Sequence, residues 1–192
     1  MNLPNKLTIS RIVMIPLFVV AFYLTQIPVN FYISAGIFAI AAGTDFLDGY
    51  IARKYNLVTS FGKFLDPIAD KVLVSTALII MLVPPMGVVI VPWYASIMVA
   101  VILARELIVS GFRLVAAGKN VVIAADKSGK IKTFLTDIAI VVMLVGAQIT
   151  PAKFDEVNII ATVLLALSTL LTITSGVECI VKNASVLSDK NI

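Results

Sequence analysis

Residues 45–70, DFLDGYIARKYNLVTSFGKFLDPIAD, carry four aspartates inside a strongly apolar sequence. The chain of 192 residues is 60% hydrophobic and 14% charged, whereas soluble domains average about 25% charged residues. This composition predicts an integral membrane protein. A carboxylate in or near a bilayer core costs several kcal/mol unless it is paired, hydrated or bound to a metal, so the four aspartates indicate a functional site.

The apolar stretches predict an all-α membrane protein with six transmembrane helices. Each stretch suits a helix of about 20 residues, the length that crosses a bilayer. No connection between them is long enough to hold a second domain, so we expect a single domain over residues 1–192. The predicted spans are residues 9–25, 31–52, 62–83, 88–112, 132–149 and 157–181.

The N-terminal segment, residues 1–11, contains alternating apolar and polar residues. This pattern predicts a short segment in the membrane interface before the first span. The apolar stretch that follows has no small-x-small cleavage pattern, so we expect a retained helix instead of a signal peptide.

The basic residues predict the orientation in the membrane. Fourteen of the fifteen lie toward the span ends that would share one side of the membrane. The positive-inside rule therefore predicts that both termini and the aspartates face the cytoplasm.

Helical geometry arranges the aspartates in two acidic stripes. On the second span an arc of about 100° contains Asp45, Asp48, Gly49 and Ala52. On the third span an arc of about 80° contains Gly62, Asp66 and Asp70. This second stripe requires a helix that continues through Pro67. The alternative is a helix that begins there with Asp66 as its N-cap, and we expect the continuous helix with a slight kink.

Carboxylates that converge in a low dielectric repel each other unless a positive charge joins them. The chain has no histidine and one cysteine, which excludes imidazole ligands and cysteine-rich zinc sites. All-oxygen ligands favour Mg²⁺, Mn²⁺ or Ca²⁺. Two such ions about 3.5 to 4 Å apart can stabilise the attacking and leaving oxygens of a phosphoryl displacement. The stripes therefore predict a metal site for phosphoryl chemistry.

The small residues beside the acids fit the same chemistry. Gly49 and Ala52 leave room for a flat base or a pyrophosphate to approach the helix, although close helix packing is an alternative role for the glycines. Arg53 adds a cation that suits phosphate.

A second polar group follows the aspartates. It comprises Arg105, Glu106, Arg113, Lys119, Lys127, Lys130, Lys132 and Thr133. Arg105 and Arg113 lie about 80° apart on a helix, which is compatible with one binding cavity. Such cations favour an alcohol acceptor that already carries a phosphate, since free choline or ethanolamine would not need them. Positive-inside topology alone explains Lys119 and is an alternative explanation for Lys127. The predicted ligands of the acceptor phosphate are Arg105, Arg113, Lys130 and Lys132.

The aspartate spacing D-x2-D-G-x2-A-R-x8-G-x3-D-x3-D resembles the signature of the CDP-alcohol phosphotransferase family, and every fixed position is matched. The resemblance covers the whole chain in length and number of spans. It implies transfer of a phosphatidyl or similar group from a CDP-linked donor to an alcohol, with release of CMP. It further implies dependence on Mg²⁺ or Mn²⁺, with two ions expected, and a homodimer in a bacterial inner or plasma membrane.

The resemblance also implies a role for each fixed residue. The metal ligands would be Asp45, Asp48, Asp66 and Asp70. The residues that hold the CDP-lipid would be Gly49, Ala52, Arg53 and Gly62. An alcohol is a poor nucleophile at neutral pH, so a carboxylate must take its proton as attack develops. Asp70, at the end of its stripe, is the candidate for this general base.

Further stretches are similar to the family members that use CDP-diacylglycerol and glycerol 3-phosphate. They are residues 2–8, the triplet 104–106 with Arg113, and residues 128–133. A member that uses an inositol phosphate would share the signature and also need phosphate-binding cations. A divalent cation transporter is the alternative from another class, because intramembrane carboxylates also bind transported ions. It predicts internal repeats and polar groups near the midplane, and neither is evident in the sequence.

Overall fold

The computed structural model describes the backbone of residues 3–54, 60–119, 121, 123, 127–149 and 156–184. Within the helices, some side chains are outside this description, namely those of residues 3–5, 45–54, 60–64, 66, 67, 127, 128 and 130. The described residues form α-helices and connections and contain no strand, which confirms the predicted all-α class. The helices are α1 Leu3–Tyr23, α2 Asn30–Lys54, α3 Ser60–Leu82, α4 Ala95–Gly118, α5 Lys127–Ile149 and α6 Glu156–Lys182.

Four described helical segments are long and apolar enough to cross a membrane, as judged by length and composition. They are Lys6–Tyr23, Ala95–Gly118, Ile131–Ile149 and Glu156–Lys182. Within α2, Asn30–Thr44 is a shorter apolar helix. The predicted membrane class is therefore supported, and the count of six spans stays a prediction.

The fourth helix begins later than the sequence predicted. The predicted span covered residues 88–112, whereas α4 runs from Ala95 to Gly118. Pro92 lacks the backbone N–H that a helix interior requires, so it does not continue a helix. The amide of Ala95, the first residue of α4, donates to the carbonyl of Pro92 at 2.9 Å. Gly87, in the same connection, has a φ of 81°, which glycine adopts readily. The apolar residues before Ala95 therefore form a connection.

Two further boundaries depend on the described backbone. Helix α1 begins at Leu3, so the predicted interfacial segment is continuous with the first helix. Helix α3 extends from Ser60 to Leu82 and includes both Asp66 and Pro67. The prediction of a continuous third helix is therefore confirmed, and Asp66 is not an N-cap. This continuity keeps positions 62, 66 and 70 on one side of α3.

Neutral polar contacts gather the helix ends at one end of the bundle, here called the neutral end. The Tyr23 hydroxyl donates to the carbonyl of Val83 at 2.9 Å, next to the end of α3. The Asn30 amide, at the start of α2, donates to the carbonyl of Phe22 at 2.9 Å. The amide of Gln148, at the end of α5, donates to the carbonyl of Pro28 at 2.7 Å. All these donors are uncharged.

Charged contacts lie at the other end of the same helices, here called the charged end. Lys71 of α3 donates to Ser110 of α4, and Lys132 of α5 contacts Glu106 of α4. Arg105 of α4 donates to α6. Since α2 starts at the neutral end and α3 finishes there, the end of α2 and the start of α3 belong to the charged end.

An apolar core separates the two ends. Four phenylalanines connect α1 to α2, with ring centroids 5.8 Å apart for Phe18 and Phe38 and 5.4 Å apart for Phe22 and Phe31. Residues from α3, α5 and α6 complete it, and among the fully buried ones are Leu73, Leu78, Met81, Ile140, Met143, Leu144 and Leu165. Many large apolar side chains face outward, as expected for a helix bundle in lipid. The core holds the charged end in a fixed arrangement.

Candidate active site

The charged end brings the two acidic stripes onto neighbouring helices. The predicted residues Asp45, Asp48, Gly49, Ala52 and Arg53 lie on α2, and Gly62, Asp66 and Asp70 lie on α3. These two helices contact each other. Apart from Asp70, the side chains of this set are outside the described residues, so their predicted roles remain predictions.

Asp70 lines a cleft between four helices. Its apolar lining residues, Val74, Ile102 and Leu103, belong to α3 and α4, and all four helices contribute polar groups. Its lining residues are Asp70, Lys71, Val74, Ser75, Ile102, Leu103, Glu106, Lys132, Thr133, Thr136 and Thr172. The candidate general base therefore shares a cleft with a predicted phosphate ligand, Lys132. This arrangement can hold an anionic alcohol beside a carboxylate.

Glu106 connects two cations at this cleft. Its Oε1 atom accepts a hydrogen bond from Arg105 Nη1 at 3.1 Å and contacts Lys132 Nζ. The Lys132 side chain is 9% exposed and that of Glu106 is 24% exposed. A buried ammonium needs a charged or polar partner because its desolvation is costly. The carboxylate of Glu106 provides that partner for Lys132.

Arg105 is attached to α6 by two hydrogen bonds. Its Nε atom donates to the carbonyl of Thr172 at 3.0 Å, and its Nη2 atom donates to the hydroxyl of Ser175 at 2.9 Å. Gly176 makes this approach possible, because a Cβ atom there would lie 2.9 Å from both Cγ and Nε of Arg105. The guanidinium is thus packed against the backbone of α6.

Hydrogen bonds also hold the backbone of Lys132 and the side chain of Lys71. The hydroxyls of Thr136 and Ser168 donate to the carbonyl of Lys132, at 2.9 Å and 3.2 Å. Lys71, directly after Asp70, donates to the hydroxyl of Ser110, which donates in turn to the carbonyl of Glu106. Helices α3, α4, α5 and α6 are therefore linked by polar contacts at the charged end.

The four predicted phosphate ligands occupy different environments. Lys132 lines the cleft, whereas Arg105 reaches it through Glu106. Arg113 lies two turns further along α4, and its buried Nε atom has no hydrogen-bond partner in the part of the chain that the structure describes. Lys130 lies on α5, with its side chain outside the described residues.

The sequence reasoning gave no role to Lys71, Glu106 or Gly176. Lys71 and Glu106 are each adjacent to a predicted site residue, Asp70 and Arg105 respectively. The contribution of α6 also had a visible signal, a stripe of small and polar residues in an apolar helix. The stripe consists of Ser168, Thr172, Ser175 and Gly176, at spacings that share one helical face.

The donor set fits a divalent metal ion in its chemistry. Two neighbouring helices carry four aspartates and neither histidine nor cysteine, which suits Mg²⁺ or Mn²⁺. Among the described side chains there is no group of three or more potential metal-binding residues. Asp70 is the one described aspartate of the four. The metal site therefore remains a prediction from the backbone positions.

Known proteins resemble this chain over most of its length. The profile of a family described as CDP-alcohol phosphatidyltransferase matches residues 1–174. A Bacillus subtilis (strain 168) protein is 42% identical over 202 residues, which cover 99% of this chain and 99% of that protein. It is named CDP-diacylglycerol–glycerol-3-phosphate 3-phosphatidyltransferase.

Two other relatives carry the same name. The protein of Rickettsia bellii (strain RML369-C) is 42% identical over 175 residues, covering 91% of each chain. That of Escherichia coli (strain K12) is 39% identical over 147 residues, covering 74% of this chain and 76% of that protein. The family match over residues 1–174 includes both acidic stripes, so the family resemblance inferred from the aspartate spacing is confirmed.

Proposed function

Since the chain belongs to the CDP-alcohol phosphatidyltransferase family, we propose that it transfers the phosphatidyl group of CDP-diacylglycerol to glycerol 3-phosphate. The products are phosphatidylglycerophosphate and CMP, which makes the chain an enzyme of phospholipid biosynthesis. The observation that carries the proposal is the cleft that both Asp70 and Lys132 line. The names of the relatives support the two substrates.

The reaction exchanges one phosphorus–oxygen bond for another. A hydroxyl oxygen of glycerol 3-phosphate forms a bond to the phosphorus that carries diacylglycerol. The bond from this phosphorus to the bridging oxygen breaks, and CMP leaves with that oxygen. Asp70 takes the hydroxyl proton as attack develops, a role typically worth about 10² to 10⁴ in rate.

The chemistry of the four aspartates and their neighbours suggests how the CDP-lipid is held. Mg²⁺ or Mn²⁺, when bound by Asp45, Asp48, Asp66 and Asp70, would offset negative charge on the pyrophosphate. We expect two ions. Arg53 pairs with phosphate oxygens, while the small residues leave space for the nucleotide against the helices. These small residues are Gly49, Ala52 and Gly62.

The acceptor phosphate binds at the cationic side of the cleft. Lys132 lines this side. Arg113 lies outside the lining, and its buried Nε atom, which has no hydrogen-bond partner among the described residues, can donate to an anion. The sequence also predicted Lys130 as a ligand, and it lies half a turn before Lys132 on α5. Phosphate oxygens accept charge-assisted hydrogen bonds, which are stronger than bonds between neutral groups.

The membrane arrangement follows from the same proposal. Six spans in a bacterial inner or plasma membrane place the charged end at the cytoplasmic face, where CMP and glycerol 3-phosphate are soluble. The acyl chains of the donor stay among the helices while its nucleotide reaches water. We also expect a homodimer, as is common in the family.

The test measures CMP release by the purified protein. CDP-diacylglycerol and Mg²⁺ are supplied with glycerol 3-phosphate, with inositol 1-phosphate, or with no acceptor. We expect CMP release only with glycerol 3-phosphate, and a lipid product with the mass of phosphatidylglycerophosphate. Release with inositol 1-phosphate alone would contradict the proposed acceptor. Absence of release with any alcohol would contradict the phosphotransferase activity.

A further inference from the structure

A row of polar contacts extends from α6 through α4 to Lys132 on α5. Thr172 and Ser175 bind Arg105, Arg105 binds Glu106, and Glu106 binds Lys132. Arg105 and Glu106 are consecutive residues, and we call this pair the brace. The row contains two cations, and of these only Lys132 lines the cleft.

The guanidinium nitrogen atoms of Arg105 already donate hydrogen bonds within the protein. Each of its three nitrogen atoms, Nε, Nη1 and Nη2, donates to α6 or to Glu106. Its side chain is 14% exposed and lies over Gly176, where a side chain would leave no room for it. Arg105 is therefore held as an anchor on α6, and it is not among the residues that line the cleft.

Glu106 is suited to hold cations and unsuited to bind a phosphate. A carboxylate next to a phosphate is repelled by it, so Glu106 does not bind the acceptor phosphate directly. Its Oε1 atom instead receives both Arg105 and Lys132. Lys132 has a flexible stem with rotatable donors, and an anchored carboxylate limits where its ammonium lies. The location of this ammonium determines where a phosphate can bind.

We propose that Arg105 and Glu106 are positioning residues, which hold the ammonium of Lys132 for the phosphate of the acceptor. This inference rests on the proposed function. It changes the role predicted for Arg105, from a ligand of the acceptor phosphate to an anchor for the residue that binds it. The brace thereby sets the affinity for the acceptor.

A double-mutant cycle on Glu106 and Lys132 tests whether one acts through the other. The kinetic constants for glycerol 3-phosphate are measured for the wild type, Glu106→Ala, Lys132→Ala and the double variant. We expect Glu106→Ala to lower kcat/KM for glycerol 3-phosphate about tenfold, mainly through KM, because contacting residues couple strongly. In the Lys132→Ala background the same change should have less than about a twofold effect.

Variants of each brace residue separate positioning from folding. Glu106→Gln keeps an oxygen that accepts hydrogen bonds and should recover part of the lost affinity. Arg105→Lys keeps the charge but cannot make the three hydrogen bonds, so it should raise KM for the acceptor as Glu106→Ala does. The KM for CDP-diacylglycerol should stay within about twofold of the wild type in both, since the residues proposed to hold the donor lie on α2 and α3.

A matched control uses Glu178, a glutamate on α6 that pairs with Lys182 at the surface. Their side chains are 44% and 64% exposed. Exposed pairs contribute little, so Glu178→Ala should leave the acceptor KM unchanged. Additive effects of Glu106→Ala and Lys132→Ala would overturn the positioning role. Absence of CMP release by the wild type would instead contradict the proposed function itself.

Discussion

The two ends of the bundle contain different kinds of polar groups. At the neutral end, the side chains of Tyr23, Asn30 and Gln148 donate to backbone carbonyls at or beside the helix ends. At the charged end, lysine, arginine and glutamate side chains contact each other across helices. Buried neutral groups with backbone partners hold connections in place. Cationic side chains that face a cleft can donate charge-assisted hydrogen bonds to an anionic ligand.

Gln148 and two atoms at the charged end also differ in their hydrogen-bond partners. Gln148 both donates to Pro28 and accepts from the amide of Phe31 at 3.1 Å. In contrast, Arg113 Nε and Thr172 Oγ1 at the charged end are buried without a hydrogen-bond partner among the described residues. A native protein rarely leaves such atoms unpaired without a reason. We infer that the neutral end serves stability and the charged end serves binding.

The largest effect is expected for Asp70→Asn. The amide cannot accept the hydroxyl proton, so turnover should fall by at least about 10³, within the range typical of a lost general base. Binding of CDP-diacylglycerol should be largely kept. CMP release measures turnover, and titration of the lipid into the purified protein measures binding. A strong loss of lipid binding would instead make Asp70 chiefly a metal ligand.

The next effect concerns Gly176 and its control Gly111. An added Cβ at Gly176 would lie 2.9 Å from Arg105, which must then leave its bonds to α6. We expect Gly176→Ala to raise the KM for glycerol 3-phosphate about tenfold, the scale of one charge-assisted hydrogen bond. Gly111 on α4 has open space where its Cβ would be, so Gly111→Ala should not change KM. Equal effects of both changes would contradict the anchor role of Arg105.

How far the sequence predicted this site depends on the range of the interactions involved. The acidic stripes need only the three- and four-residue spacing of a helix, and the described backbone of α2 and α3 agrees with them. The start of α4 was wrong, because apolar residues before Pro92 resembled a span. The brace could not be predicted, since it depends on contacts between α4 and α6, which are about 70 residues apart.

A smaller effect is expected for Thr172→Val, which removes a buried hydroxyl and nearly keeps the volume of the side chain. The hydroxyl has no partner within the described chain, so its loss should not lower Tm. Thr172 lines the cleft, and we expect a two- to fivefold higher KM for glycerol 3-phosphate, about the scale of one neutral hydrogen bond. A lower Tm with unchanged KM would assign this hydroxyl a structural role.

The smallest effect on activity is expected at the neutral end. Gln148→Ala removes two hydrogen bonds, one to Pro28 in the connection between α1 and α2 and one to Phe31 in the first turn of α2. The loss should cost about 1 to 3 kcal/mol of stability and leave the acceptor KM unchanged. Thermal unfolding in detergent measures the first, and CMP release measures the second. A raised acceptor KM at unchanged Tm would contradict the division between the two ends.

The most direct test of the charged end compares glycerol 3-phosphate with glycerol as acceptors. Sites built around a polar group discriminate strongly against analogues that lack it. The wild type should prefer glycerol 3-phosphate by more than about 10³ in kcat/KM, and the double variant Lys132→Ala, Arg113→Ala should lose at least about 100-fold of this preference. An unchanged preference in the variant would contradict the assignment of the acceptor phosphate to the charged end.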